Sequence, residues 1–288
     1  MVNARTVLLV DVDLYCTEQG NGPPLLVHHS GPGLDHTVIA PHLSPLARDV
    51  RLVCFDHRGT GRSATPRGED AYHIDRFAED IAALAEGLPL EPFALLGHSF
   101  GGIVALLFAL AHPDLLTHLI LVSTPASYHY IEDVESALPE LLEPAALAEL
   151  ASLQDSPPSA QVMRRSLELL SPIYFRDPAR VSRLELEAVR FGPETQAVWE
   201  SLEGFDLRPR LSEIKVPTLV IAGAEDRAVT AERSKELAAG LPRAKLLVIK
   251  KSGHYPFIEA PDEFLSGVRE FLPGKPKKKK GLFGRGSA

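Results

Sequence analysis

Only two of the 288 residues are cysteine, Cys16 and Cys54, and both stand in apolar, strand-like surroundings. So few thiols exclude a disulfide framework or a thiolate metal cluster as the basis of the fold. They leave either two reduced core residues or one buried bridge. Long apolar runs are missing too. The longest unbroken one, Ile103 to Ala111, is less than half of the roughly 20 residues a membrane helix needs. No basic segment followed by an apolar run opens the chain, because Asp11 and Asp13 interrupt it, so a cytoplasmic enzyme is expected. There is no internal repeat. No Cys/His or paired-carboxylate spacing suggests a metal, and no cofactor is expected.

What is present is an ordinary globular balance, 45% hydrophobic and 24% charged, which argues against wholesale disorder. The length suits one large α/β domain with an insertion, or two small domains. The net charge of −8 is unevenly placed. Removing the six basic residues of the last fifteen leaves 24 basic against 38 acidic residues, a net −14. An acidic body repels polyphosphate, so nucleic acid is not an expected partner. The lysine-, glycine- and proline-rich tail, 274–288, is predicted to be disordered.

Short β-rich runs alternate with helical patterns. Strands are predicted at Thr6–Val10, Leu14–Glu18, Leu25–His28, Arg51–Phe55, Phe93–Leu96, Leu119–Val122, Thr218–Ala222 and Lys245–Ile249. Several are almost wholly apolar, as strands buried on both faces are. Helices are predicted at Val38–Ala47, Ile74–Gly87, Ser99–Ala111, Ala231–Ala239 and Glu263–Phe271. This alternation predicts a mostly parallel eight-stranded sheet with helices on both faces and an antiparallel hairpin at one edge. Between Pro125 and Pro209 it gives way to helical pattern alone, with helices expected at Glu140–Leu153, Ala160–Leu170, Arg180–Arg190 and Glu194–Leu202. Inserted directly after the sixth strand, this stretch is expected to cap the carboxyl edge of the sheet, where ligands bind. The division is then a core of 1–124 and 210–273, a helical cap of 125–209, and the tail.

Gly97-His98-Ser99-Phe100-Gly101 stands between an apolar strand and a helical run, the setting of a nucleophile elbow. A serine hydroxyl needs a base within hydrogen-bond reach and an acid to orient that base. Asp226 ends a buried strand-to-turn segment, with Glu225 as its neighbouring competitor. His254 follows the last strand and is the only histidine after Asp226. The order serine, acid, histidine is that of elbow-type hydrolases. Two backbone donors are required for the oxyanion. Phe100 N–H is the first. Gly31 N–H, in His28-His29-Ser30-Gly31-Pro32-Gly33, is the second, with Ser30 as runner-up. Ser30 and His98 are also expected to touch substrate. Asp56-His57-Arg58-Gly59-Thr60-Gly61-Arg62-Ser63 fits no phosphate-binding spacing and reads as a turn in which Asp56 and Arg58 brace the oxyanion loop.

From about residue 5 to 272 these features resemble the α/β-hydrolase superfamily. The His29–Gly33 loop, with Leu34-Asp35-His36 after it, is similar to the His-Gly-Gly-Pro-Gly loop of proline iminopeptidases. Asp56 to Ser63 resembles their Asp-Gln-Arg-Gly-x-Gly-x-Ser segment. The resemblance implies the α/β-hydrolase fold and a serine aminopeptidase that releases an N-terminal residue from short peptides. Acidic cap groups would then hold the substrate's ammonium, and Glu132, Glu135, Glu200 and Glu203 are available. Ser30 replaces the first loop glycine. Gly-His-Ser-x-Gly-Gly is commoner among esterases and carbon–carbon bond hydrolases of the fold, so a carboxylesterase is the alternative. A non-catalytic ligand receptor is the second. The expected partner is a small ester or short peptide.

Overall fold

A computed structural model describes residues 2–68, 70–90, 92–192 and 195–273; the tail expected to be disordered lies outside them. Among the described residues eight strands form one sheet: β1 (Asn3–Leu8), β2 (Asp13–Gln19), β3 (Pro24–His28), β4 (Arg51–Phe55), β5 (Phe93–His98), β6 (Leu116–Val122), β7 (Thr218–Gly223) and β8 (Ala244–Ile249). Their spatial order is β1-β2-β4-β3-β5-β6-β7-β8. β2 pairs antiparallel with both β1 and β4, and every later pairing is parallel. β5 and β7 are buried along their whole length, which is why they read as unbroken apolar runs.

Helices α1 (Ala40–Leu43), α2 (Ile74–Gly87) and α3 (Phe100–Ala111) lie in the first half. α4 (Tyr130–Leu141), α5 (Pro144–Gln154), α6 (Ala160–Leu169), α7 (Ser171–Tyr174) and α8 (Thr195–Leu202) all fall between β6 and β7. α9 (Ala231–Gly240), α10 (Pro256–Glu259) and α11 (Pro261–Phe271) close the chain. Successive residues of one strand feed opposite cores. Leu95, Leu119 and Leu121 pack with Phe77 of α2, Ile103 of α3 and Leu237 of α9. Leu96, Ile120 and Val122 pack with Leu43 of α1, Phe257 of α10 and Phe264 of α11. None of the helices searched is long and apolar enough to cross a membrane. Cys16 and Cys54 are separate buried thiols.

Three predicted helices differ. Val38–Ala47 is a short α1 between 3₁₀ turns at His36–Val38 and Ser44–Arg48, because Pro41 and Pro45 interrupt the ladder. Glu140–Leu153 is split between α4 and α5, because Glu143 is extended ahead of Pro144. Arg180–Arg190 is a 3₁₀ helix, Pro178–Leu184, that stops where Glu185 turns left-handed.

Candidate active site

In a parallel sheet every strand presents its carboxyl end to the same rim. The segments after β3, β5, β7 and β8 therefore meet there, and they carry Gly31, Ser99, Asp226 and His254.

Ser99 sits between β5 and α3 with φ +55° and ψ −117°. That backbone conformation costs an L residue about 1–3 kcal/mol and persists only where its surroundings enforce it. Here they do. Ser99 N–H donates to the Val122 carbonyl at 2.9 Å, and the Ser99 carbonyl accepts from Gly102 and Ile103 N–H at 2.9 and 3.2 Å. The flanking glycines allow the close approach. A Cβ on Gly97 would overlap the Gly101 carbonyl, one on Gly101 the His28 carbonyl, and one on Gly102 the Thr124 side chain.

Asp226 is fully buried and accepts three hydrogen bonds. Oδ1 takes Ala228 and Val229 N–H at 2.8 and 2.9 Å, and Oδ2 takes His254 Nδ1–H at 2.9 Å. This fixes the tautomer of His254 and leaves Nε2 as its free acceptor. Glu225, the competitor, turns outward to Arg176 at 2.8 Å. The His254 loop is held from three sides. Its N–H donates to the Tyr174 carbonyl at 2.7 Å. Its carbonyl accepts from His98 Nε2–H at 2.9 Å. Beside it, Glu259 accepts Gly253 N–H at 2.6 Å, together with Arg176 and Asp177 N–H at 3.3 and 3.1 Å.

Ser99 and His254 line the same cavity. Among the described residues the Ser99 hydroxyl makes no hydrogen bond to His254. Phe100 opens α3, where N–H groups lack intrahelical partners. Gly31 faces it from the β3 loop, and both line one lobe of the cavity.

Behind that loop three imidazoles stack. His29 lies 4.1 Å from His57 and His28 5.3 Å from it, centroid to centroid. His29 Nδ1–H donates to the Ser30 carbonyl at 2.6 Å, and His29 Nε2 accepts His57 N–H at 3.4 Å. Burial holds all three well toward the neutral form, pulling His28 down to about 3. Asp56, expected to brace the oxyanion loop, instead holds the segment after it, accepting His36 N–H and Nδ1–H at 2.9 and 2.6 Å and Arg62 N–H at 2.8 Å. Burial works to raise its carboxyl, but the His36 bonds hold it below the ordinary range. Asp35, His36 and Asp56 gather closely enough to ligate a cation. Their polar atoms are instead engaged with one another and with Thr37 and Arg190 N–H. Arg58 does not brace the oxyanion loop. It turns to α2, forming a buried bidentate pair with Asp80 at 2.8 and 2.6 Å.

The cavity has two lobes that share Gly31, Ser99, Tyr174, Trp199 and His254. One, of about 270 Å³, extends under α5 and α6 past Leu150, Gln154, Met163, Ser166 and Leu167. The other, of about 190 Å³, extends under α4 past Ile103, Tyr130, Ile131, Val134 and Leu202. The helical insertion thus roofs the serine.

Two sets of expected contacts fall elsewhere. Ser30 lines the larger lobe, but His98 does not reach the cavity. It is fully buried, on the same strand face as Leu96, packed against Tyr255 and Phe257. The period-2 alternation of β5 turns it away from the substrate and under the His254 loop. Glu132, Glu135, Glu200 and Glu203 are all exposed, and none lines either lobe. The sequence reading missed Tyr130, Tyr174 and Trp199, which shape the cavity. They belong to helix faces in a segment without a motif, and nothing in their spacing distinguishes a cavity wall from ordinary packing.

Comparison with known proteins accords with this architecture. A family model described as alpha/beta hydrolase fold matches residues 23–261. A proline iminopeptidase of Heyndrickxia coagulans is 29% identical over 268 residues, covering 88% of this chain and 92% of that protein. A putative carbamate hydrolase, RutD, of Pseudomonas syringae pv. syringae (strain B728a) is 32% identical over 258 residues, covering 88% and 95%. The crystal structure of the enol-lactonase from Burkholderia xenovorans LB400 superposes with a TM-score of 0.74 at 25% identity, covering 93% and 99%.

Proposed function

From the premise that this chain belongs to the α/β-hydrolase family, we propose that it is a serine hydrolase acting on small, neutral carboxylic esters with an apolar acyl chain. Ser99 Oγ attacks the acyl carbon as His254 Nε2 takes its proton. Asp226 stabilises the imidazolium that results. The oxyanion is met by Phe100 and Gly31 N–H, each worth about 3 kcal/mol in comparable sites. The tetrahedral adduct collapses, the carbon–oxygen bond of the leaving group breaks, and His254 returns the proton to the departing alkoxide. Water repeats the sequence on the acyl-enzyme, releasing the acid and freeing Ser99.

The observation that carries the ester reading is the lining of the cavity. Apolar and aromatic side chains dominate both lobes, and no acidic side chain is among their lining residues. An α-ammonium group moved into such a space loses its hydration with no carboxylate to replace it. The aminopeptidase reading draws support from the His29–Gly33 loop and from the similarity to a proline iminopeptidase. Parallel assays with p-nitrophenyl butyrate and proline β-naphthylamide separate the two. Ester turnover at least a hundredfold faster in kcat/KM is expected. Faster amide turnover would overturn the ester reading.

A further inference from the structure

The two lobes meet at Ser99 but differ in chemistry. Beyond the shared residues, the α4 lobe is walled mainly by apolar side chains, Phe100, Ile103, Ile131, Val134, Leu202 and Val229 among them. Apart from the shared Ser99 and Tyr174, its hydroxyl-bearing side chain is Tyr130, which burial pushes far toward the protonated form. The α5–α6 lobe contains Gln154 and Ser166 as well as apolar groups. Among the described residues neither the Gln154 amide nor the Ser166 hydroxyl has a hydrogen-bond partner within the chain. Gln154 is also exposed, so this lobe reaches solvent at its side chain.

Resting on the ester reading above, we infer that the α4 lobe holds the acyl chain and the α5–α6 lobe holds the alcohol, whose neutral hydrogen-bonding group Gln154 and Ser166 recognise. The order of events supports the assignment. The alcohol departs first and needs a route to solvent while the acyl group is still attached to Ser99. The lobe with a solvent-exposed polar residue supplies that route, and the apolar lobe keeps the acyl chain in place until water attacks. Each methylene that enters the apolar lobe should raise kcat/KM by up to about fourfold, the equivalent of about 0.8 kcal/mol. The rise ends where the lobe is full.

Val134→Trp and Leu167→Trp fill one lobe each. The wild type and both variants would be assayed on p-nitrophenyl esters from acetate to decanoate. They would also be assayed, by proton release, on butyl and 2-hydroxyethyl acetate. Val134→Trp should shorten the acyl optimum, cutting kcat/KM for octanoate relative to acetate at least tenfold, with the ratio between the two alcohols changed less than twofold. Leu167→Trp should do the reverse. Gln154→Leu, at an exposed position that does not endanger folding, should abolish any preference for 2-hydroxyethyl over butyl acetate. A shortened acyl optimum in Leu167→Trp, or equal effects of both tryptophans on both series, would overturn the assignment. So would a Gln154→Leu variant that keeps the alcohol preference. Wild-type protein inert to every ester would instead refute the ester reading itself.

Discussion

Burial without compensating charge makes this fold sensitive to acid, and the histidines set the range. His28, His57 and His98 are almost wholly enclosed, and burial lowers the proton affinity of each, His28 to about 3. In the unfolded chain each regains an ordinary value of about 6.5. Below that pH the unfolded state binds more protons, so stability falls as pH falls from 6.5 toward the folded-state values. At pH 5 a ring held as low as His28 costs about 2 kcal/mol, and His57 and His98, lowered by the same burial, add to the loss. Asp80 acts in the opposite sense. Burial, against the pull of Arg58, pushes it up to about 6. Its folded form therefore takes up a proton first, returning about 1 kcal/mol at pH 5. The three histidines together oppose this single carboxyl, and a net loss of even a few kcal/mol is a large share of the roughly 5–15 kcal/mol that holds a typical domain. Urea unfolding followed by circular dichroism at pH 7.5, 6 and 5 should show the midpoint dropping sharply between pH 6 and 5 with little change in slope. A midpoint constant to within about 1 kcal/mol over that range would refute the description of these rings as neutral and desolvated.

Three further outcomes follow from the site. In Asp226→Asn the carbonyl oxygen must stay with Ala228 and Val229 N–H, so the amide faces His254 Nδ1 and imposes the wrong tautomer. kcat on p-nitrophenyl butyrate should fall by about 10⁴ with the fold retained, and a loss under tenfold would contradict the orienting role. Glu259→Ala releases three backbone N–H groups beside the His254 loop. With charge-assisted bonds worth about 1.5–3 kcal/mol each, kcat should fall about 10- to 100-fold with KM little changed; an unchanged kcat would show that the loop needs no such clamp. Because Ser99 holds a positive φ, Ser99→Gly should melt higher than Ser99→Ala by the equivalent of about 1 kcal/mol or more, although both are inactive. Equal melting temperatures would mean that the elbow is unstrained.

Much of this arrangement was legible because it rests on local rules. Doubly buried strands such as β5 and β7 announce themselves as apolar runs. The elbow glycines are required by contacts within a few residues of Ser99 and with the neighbouring β3 loop. The helix breaks at Pro41, Pro45 and Pro144 were equally local, yet continuous apolar periodicity across them masked the interruption. His98 was misplaced for a different reason. Adjacency to the nucleophile suggested contact with substrate, whereas counting alternation from Leu96 puts it on the opposite side of the sheet from the His28 stack. The cavity walls were not legible at all. Trp199, Tyr174 and Tyr130 come together only through the packing of α4, α7 and α8 over the sheet, and no period in one chain segment encodes that meeting.

The account depends most on Ser99 as the attacking nucleophile. Treatment of the folded protein with a fluorophosphonate, followed by intact mass and peptide mapping, tests it directly. One adduct per chain, on Ser99, is predicted, with labelling and ester turnover both absent from Ser99→Ala. An adduct on another side chain, or turnover that survives in Ser99→Ala, would contradict it.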